Sequence, residues 1–296
     1  MKITDILSNE KYSISFEVFP PATGSSFESI KRATEEIAKL KPSFMSVTCG
    51  AGGGVREHTL DTAENLSEKY GMPTLAHLTC VGSSKETMGL KIAEIKKSGV
   101  KNILALRGDF PAHADESERE KLDYKYAADL IRELKNSDGD FCIGGACYPE
   151  MHPESANQKE DIKYLKEKID AGCDFLVTQM FFDNNLLYNF LYKIREAGIT
   201  VPVIPGIMPI TNAKQVKRAS ELSGSTVPQR FKAIVDKFGS DPLAMKQAGI
   251  AYATDQIIDL YANNLTDVHV YSMNNPVLAE TIQKNLSDIL GKDVNA

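Results

Sequence analysis

The sequence TLAHLTCVGSSKETMGLKIAEIKKSGVKNILALRGD, residues 74–109, contains one complete repeat of an alternation between β-rich and helical segments. A short β-rich run, Thr74–Thr79, precedes KETMGLKIAEIKKSG, in which apolar residues recur at spacings of three and four. Gly99 can adopt the left-handed conformation that ends a helix, and a second β-rich run, Asn102–Leu106, follows it closely. This stretch therefore predicts a strand, an amphipathic helix and a second strand parallel to the first.

The same alternation continues in both directions along the chain. Helical periodicity recurs in FESIKRATEEIAKL, YKYAADLIRELKNS and QKEDIKYLKEKIDAG, and Gly172 and Gly198 are further helix stops. The predicted strands are Ile14–Val18, Phe44–Cys49, Thr74–Thr79, Asn102–Leu106, Phe141–Ala146, Phe175–Thr178, Val203–Gly206 and Val268–Tyr271. Eight strands alternating with helices favour an α/β fold of the closed (β/α)8 TIM barrel type over an open sheet.

The length of the chain, 296 residues, is slightly above that of a typical barrel of this kind. The surplus lies between strands 7 and 8, where VPQRFKAIVDKFG precedes the long periodic segment DPLAMKQAGIAYATDQIIDLYANN. We therefore expect an additional helix between strands 7 and 8, and a single barrel catalytic domain over residues 1–296.

Composition narrows the classes of partner. The chain has 34 basic and 40 acidic residues, a net charge of −6, so it offers no basic stripe for nucleic acid. No apolar run approaches the roughly 20 residues that cross a bilayer. The amino terminus lacks the features of a secretory signal, and the five cysteines contain no CxxC pair. We expect a cytoplasmic protein that binds small molecules, neither nucleic acid nor a membrane, with a homo-oligomer left open.

Chemistry in such a barrel comes from the carboxyl ends of the strands. Glu17 ends strand 1, and a carboxylate on a strand covered on both faces favours a functional group over a solvated one. Arg107 and Asp109 flank Gly108 after strand 4, where they can bind a ligand or form a local ion pair. Gln179 after strand 6 can read the edge of a heterocycle or cap a loop. These alternatives stay open on residue type alone.

Several familiar motifs are absent from the sequence. The loop SVTCGAGGG offers backbone amides to phosphate, but it matches neither nucleotide-binding glycine fingerprint. The loop YPEMHPE holds Tyr148, Glu150, His152 and Glu154 without the spacing of a zinc or iron site, so we expect no metal. No predicted strand end carries a lysine for Schiff-base chemistry, and no GxSxG elbow is present.

A series of motifs nonetheless resembles one family closely. SFEVFPP, SVTCGAGG, AHLTC, LALRGD, YPEMHPE, TQMFFD and IPGIMP, in this order, resemble methylenetetrahydrofolate reductases of the short bacterial type, from about Ser13 to the end of the chain. The resemblance implies a barrel flavoprotein of one-carbon metabolism that carries FAD. It further implies ping-pong reduction of 5,10-methylenetetrahydrofolate to 5-methyltetrahydrofolate by NADH or NADPH, which feeds methionine synthesis. The alternative from another class is a flavin-free folate or sugar-phosphate binding barrel, or a methyltransferase.

The resemblance also implies roles for individual residues. Glu17 would be the general acid, with Asp109 tuning both half-reactions, and Arg107 and Lys168 would offset the pyrophosphate charge. FAD contacts would come from Thr48, Cys49, Ala51, His77, Arg107, Gly108, Asp109, Ala127, Tyr148, His152, Asp161 and Lys168. Folate contacts would come from Asp109, Gln179, Gln215 and Tyr271.

Two positions depart from the family pattern. Asn275 stands where relatives carry an arginine after a YxxN sequence, so the expected cation for the glutamate tail of folate is missing there. Ala219 stands where relatives can have a phenylalanine that stacks on a ring.

Overall fold

The strands form one parallel sheet. A computed structural model of the chain describes residues 1–20, 27–49, 57–110 and 122–291. In these ranges the strands are β1 (Ser13–Val18), β2 (Phe44–Val47), β3 (Thr74–Thr79), β4 (Asn102–Leu106), β5 (Cys142–Cys147), β6 (Phe175–Thr178), β7 (Val203–Ile204), β8 (Gly206–Ile207) and β9 (Asp267–Tyr271). The predicted strand positions are confirmed to within two residues, except that the seventh strand is broken in two.

The break in the seventh strand is also where the barrel closes. The strand order is β7-β6-β5-β4-β3-β2-β1-β9-β8, with every neighbouring pair parallel. β7 pairs with β6, and β8, one residue further on, pairs with β9. Pro205 separates the two because it has no N–H to donate to a ladder. Its carbonyl accepts a hydrogen bond of 2.9 Å from the N–H of His269. The predicted (β/α)8 barrel is therefore confirmed.

Helices surround the barrel. The described ones are α1 (Ile3–Asn9), α2 (Phe27–Lys39), α3 (Glu57–Tyr70), α4 (Lys85–Ser98), α5 (Ala127–Asn136), α6 (Gln158–Asp170), α7 (Asn184–Glu196), α8 (Ala213–Ser223), α9 (Gln229–Phe238), α10 (Pro242–Ala262), α11 (Pro276–Asn285) and α12 (Ser287–Leu290). The additional helix predicted before β9 is α9, and α8 also precedes the long α10. No helix in the described ranges is both long and apolar enough to cross a membrane.

Local sequence accounts for where several helices begin and end. Ser84 accepts a hydrogen bond from the N–H of Thr87 at the start of α4, which satisfies one orphan donor of the first turn. Gly99, Gly172 and Gly198 follow α4, α6 and α7 with φ of 76°, 107° and 76°. The predicted helix stops therefore adopt the left-handed conformation that glycine allows.

Two sets of side chains fill the space inside and outside the barrel wall. On β1, Ile14, Phe16 and Val18 pack into the large cluster shared with the surrounding helices, so Ser15 and Glu17 face the interior. At the amino ends of the strands the interior is apolar, and Ile3 and Ile6 of α1 pack into it. Helix α1, which closes this end of the barrel, was not predicted from the sequence.

Candidate active site

The carboxyl ends of the strands open into a cavity of about 1520 Å³. Its walls come from the loops after β1 to β5 and from α5 and α6. The volume exceeds the roughly 300–1,000 Å³ of pockets for drug-sized ligands, so the cavity suits a larger ligand. Most of the FAD contacts implied by the resemblance line it, namely Thr48, Cys49, Arg107, Gly108, Asp109, Ala127, Tyr148, His152, Asp161 and Lys168. Ala51 lies outside the described residues.

Arg107 is paired across the cavity. Its guanidinium donates from Nη1 and Nη2 to the two carboxylate oxygens of Glu154, at 2.6 and 3.1 Å. Its Cζ also lies 4.4 Å from the ring centroid of Phe110. The sequence suggested Asp109 as a local ion-pair partner of Arg107. Arg107 instead pairs with Glu154, because the loop after β5 folds back over the loop after β4. A two-pronged pair of this kind fixes the guanidinium plane.

Two polar groups in the cavity wall favour a ligand that is anionic and accepts or donates hydrogen bonds. Lys168 is half-buried in the wall and its ammonium donates to the carbonyl of Ala146 at 2.7 Å, and desolvation lowers its pKa. Thr48 Oγ1 is buried without a hydrogen-bond partner within the described part of the chain. A desolvated charge and an unsatisfied hydroxyl are both costly until a ligand meets them.

The loop after β5 holds two rings and a strained residue. Tyr148 and His152 meet edge to face, with ring centroids 4.6 Å apart. Burial raises the pKa of Tyr148 to about 12, and burial together with the nearby Arg107 lowers the pKa of His152. Met151, between them, has φ of 92°, a left-handed value that is unfavourable for methionine. Both rings are therefore neutral at pH 7 and held in a preset arrangement.

Glu17 lies inside the barrel between two histidines. Its Oε2 is 3.6 Å from Nε2 of His77 and 3.7 Å from Nε2 of His269. Burial lowers the pKa of His77 to about 4, although the negative charge of Glu17 acts in the opposite direction. His77 is therefore neutral at pH 7, and its Nε2 lies 2.6 Å from Ser46 Oγ.

Ser15 fixes the orientation of the His269 ring. Ser15 Oγ lies 2.8 Å from Nδ1 of His269 and 3.1 Å from the carbonyl oxygen of Val268. With Nδ1 held by Ser15, Nε2 faces the carboxyl of Glu17. The carboxyl of Glu17 therefore lies between two imidazole nitrogens that can form hydrogen bonds with it.

His269, Ser15 and Ser46 were not among the predicted site residues. A signal for His269 was present, because the alternation in DVHVY places it on the same face as Tyr271. The family resemblance implied that His77 contacts FAD, and the structure places its Nε2 3.6 Å from Glu17 Oε2.

The side chains predicted to contact folate are held by backbone groups. Gln179 Oε1 accepts from the N–H of Met180 at 2.8 Å, which is the loop-capping alternative. Gln215 Oε1 accepts from the N–H groups of Thr211 and Asn212 at the start of α8. In both residues the amide nitrogen is the end that would meet a ligand.

The ring of Tyr271 occupies space that is free because residue 206 is a glycine. Its hydroxyl donates to the carbonyl of Thr178 at 2.6 Å, and burial raises its pKa. A Cβ on Gly206 would collide with that carbonyl and with the Tyr271 hydroxyl. The absence of a side chain at residue 206 therefore lets the tyrosine ring lie across the broken strand.

The two departures from the family pattern have structural roles here. Ala219 is buried in a cluster that includes Phe182 and Phe231, so its methyl group packs in the core. Asn275 caps α11, where its Oδ1 accepts from the N–H of Leu278 at 3.1 Å. In the described ranges no group of three His, Cys, Asp or Glu residues is arranged to hold a metal ion.

Comparisons with known proteins identify relatives over nearly the whole chain. The family model described as methylenetetrahydrofolate reductase matches residues 2–287. The chain is 35% identical over 272 residues to 5,10-methylenetetrahydrofolate reductase of Pectobacterium carotovorum subsp. carotovorum, covering 92% of this chain and 89% of the relative. It is 33% identical over 270 residues to the enzyme of that name from Escherichia coli K12, with 91% and 89% covered.

A plant relative and a solved structure extend the comparison. Methylenetetrahydrofolate reductase (NADH) 1 of Arabidopsis thaliana is 32% identical over 295 residues, covering 96% of this chain and 50% of the plant protein. An uncharacterized protein from Clostridium thermocellum that binds two copies of 5-methyl-5,6,7,8-tetrahydrofolic acid has the same fold, with a TM-score of 0.68 and 14% identity. That alignment covers 98% of this chain and 99% of the other.

Proposed function

The chain belongs to the methylenetetrahydrofolate reductase family, and we propose that it reduces 5,10-methylenetetrahydrofolate to 5-methyltetrahydrofolate at the expense of NADH or NADPH. The observation that carries this proposal is the carboxyl of Glu17, buried between His77 and His269 two residues before Phe19, which lines the large cavity. Opening the five-membered ring of the substrate requires a proton donor, and a carboxyl in this position is a candidate for that role. The product would feed methionine synthesis.

We propose FAD as the cofactor. The half-buried Lys168 ammonium and the unsatisfied Thr48 hydroxyl fit a dinucleotide, because the ammonium supplies charge to a pyrophosphate and the hydroxyl supplies a hydrogen bond. Arg107, fixed by Glu154, adds a second cation whose remaining N–H groups can turn toward the same ligand. When bound, FAD would supply hydride transfer from the nicotinamide to the folate in two half-reactions of ping-pong order.

The protein's own groups then have distinct tasks. Glu17 donates the proton that opens the folate ring, and His269 Nε2, 3.7 Å from Oε2, holds the carboxyl in place. Asp109, exposed at the cavity rim, favours positive charge on the opened folate. The amide nitrogens of Gln179 and Gln215 and the ring of Tyr271 position the substrate.

The names of relatives bear on the reductant, and the cysteines bear on the cellular compartment. The plant relatives carry NADH in their names, which supports NADH as the reductant. The cysteines are free thiols, as expected in a reducing cytoplasm. We take residues 1–296 as one catalytic domain.

The visible spectrum of the purified protein tests this proposal first. Oxidised FAD in the site would absorb near about 450 nm, and NADH would bleach that band until methylenetetrahydrofolate restored it. A flavin-free folate or sugar-phosphate binding barrel, or a methyltransferase, would be colourless. Protein that is colourless as purified and that takes up no added FAD would contradict the proposal.

A further inference from the structure

We propose that Asn274 is a positioning residue for the acid step, because its side-chain amide fastens the backbone that follows Glu17. The inference rests on the proposed function, since it takes Glu17 to be the proton donor. It assigns a role to the loop after β9 that the substrate contacts described above do not include.

The amide of Asn274 acts as a strand partner for Phe19. Asn274 Oδ1 accepts from the N–H of Phe19 at 2.8 Å, and Asn274 Nδ2 donates to the carbonyl of Phe19 at 3.0 Å. The ladder between β1 and β9 ends at the pairing of Glu17 with Tyr271. The side-chain amide therefore continues the pairing for one more peptide after the strands have parted.

The sequence explains why a side chain is needed here. Phe19 is followed by Pro20 and Pro21, which have no N–H, so its amide is the last donor before the chain leaves the sheet. The neighbouring Ser272 Oγ donates to the carbonyl of Glu17 at 2.6 Å. Ser272 and Asn274 thus hold the backbone at Glu17 itself and two residues beyond it.

The backbone of this loop is shaped for the contact. Met273 and Asn274 both have φ of 53°, so two consecutive residues other than glycine adopt the left-handed conformation. Asparagine tolerates that conformation better than most residues. Backbone strain of this kind persists only where surrounding contacts impose it. The two hydrogen bonds to Phe19 are contacts that stabilise this loop conformation.

The contact bears on the chemistry through Phe19 and Glu17. Phe19 is 37% exposed and lines the cavity together with Thr48 and Asp109. Glu17 is two residues earlier, so a shift of the Phe19 peptide moves both the ring and the carboxyl. Small misplacements of a reacting group cost rate out of proportion to their size.

The test compares two asparagines in the same backbone conformation. Asn274→Ala removes both hydrogen bonds, and Asn274→Asp keeps the acceptor for the Phe19 N–H while removing the donor. Asn264→Ala is the matched control, because Asn264 also has a left-handed φ, 63°, but lies before β9 at the opposite end of the barrel. Each half-reaction is followed by stopped flow, alongside thermal unfolding.

We expect Asn274→Ala to slow the folate half-reaction about tenfold relative to Asn264→Ala, the size expected for lost hydrogen bonds. Reduction by the nicotinamide should stay within about twofold of the control, and Asn274→Asp should fall between the two alanine variants. Equal folate rates in Asn274→Ala and Asn264→Ala would overturn the proposal.

Hydrogen exchange tests the contact independently of activity. The amide of Phe19 should exchange slowly in the unmodified protein and in Asn264→Ala, and at least about tenfold faster in Asn274→Ala. If the Phe19 amide exchanged as slowly in Asn274→Ala as in the unmodified protein, the proposed contact would be refuted. If the unmodified protein lacks reductase activity, the proposed function fails, and these exchange rates still decide whether Asn274 holds Phe19.

Discussion

The barrel interior has two layers with opposite chemistry. The lower layer, at the amino ends of the strands, is apolar and consists of Phe44, Leu75, Leu104, Cys142, Phe175 and Ile204. On β1, β2, β3 and β9 the upper layer is polar and consists of Ser15, Glu17, Ser46, His77 and His269. On β6 it stays apolar, with Val177. Side chains on one face of a strand are two residues apart. On β2, Phe44 therefore lies in the lower layer and Ser46 in the upper one, and on β3 the same holds for Leu75 and His77.

The two layers meet closely and are both buried. The ring of His269 stacks on Phe44, with centroids 6.0 Å apart and planes 3° apart. The lower layer, sealed by Ile3 and Ile6, gains stability from apolar burial. The upper layer must instead satisfy its polar groups with one another. Stability and chemistry are therefore separated along the barrel axis.

Truncation in the lower layer should give the largest change in stability. We expect Phe175→Ala to lower the free energy of unfolding by roughly 3–5 kcal/mol, because it opens a cavity in a sealed apolar layer. Denaturant unfolding measures this loss, and the activity per folded molecule should not change. Phe175→Leu, which keeps most of the volume, should cost less than about 1.5 kcal/mol. A fall in activity without a fall in stability would show that the layers are not separate.

A smaller loss of stability should occur as the pH falls and His77 in the upper layer becomes protonated. The unfolded chain protonates His77 near its ordinary pKa of 6.5, and the folded chain near about 4. Stability is therefore complete above about pH 6.5 and declines between those values, by about 2 kcal/mol at pH 5. His77→Gln should remove this part of the decline when unfolding is measured at pH 7.5 and pH 5. An unchanged difference between the two pH values would place the titration elsewhere.

The sequence anticipated the barrel because its signals are local. The β-rich runs, the helical spacing and the glycine stops at Gly99, Gly172 and Gly198 each depend on neighbouring residues. Glu17 was also predictable, since a carboxylate on a strand covered on both faces is unusual. The break at Pro205 was not foreseen, because it depends on which strands pair on either side.

What the sequence could not provide are contacts between distant loops. The pairing of Arg107 with Glu154 and of Asn274 with Phe19 joins segments 47 and 255 residues apart. The flanking of Glu17 by His77 and His269 likewise depends on β1, β3 and β9 sharing one interior. Nor could the periodicity of α1 show that Ile3 and Ile6 seal the lower layer.

Glu17→Gln, measured in the two half-reactions, shows whether Glu17 is the proton donor. Glu10→Gln is the control, because Glu10 accepts a hydrogen bond from Ser43 near the opposite end of the barrel. We predict near-normal oxidation of the nicotinamide and a fall of roughly 10² to 10⁴ in folate reduction, the size typical of a lost general acid. Equal losses in both half-reactions, or none in either, would show that Glu17 is not the proton donor.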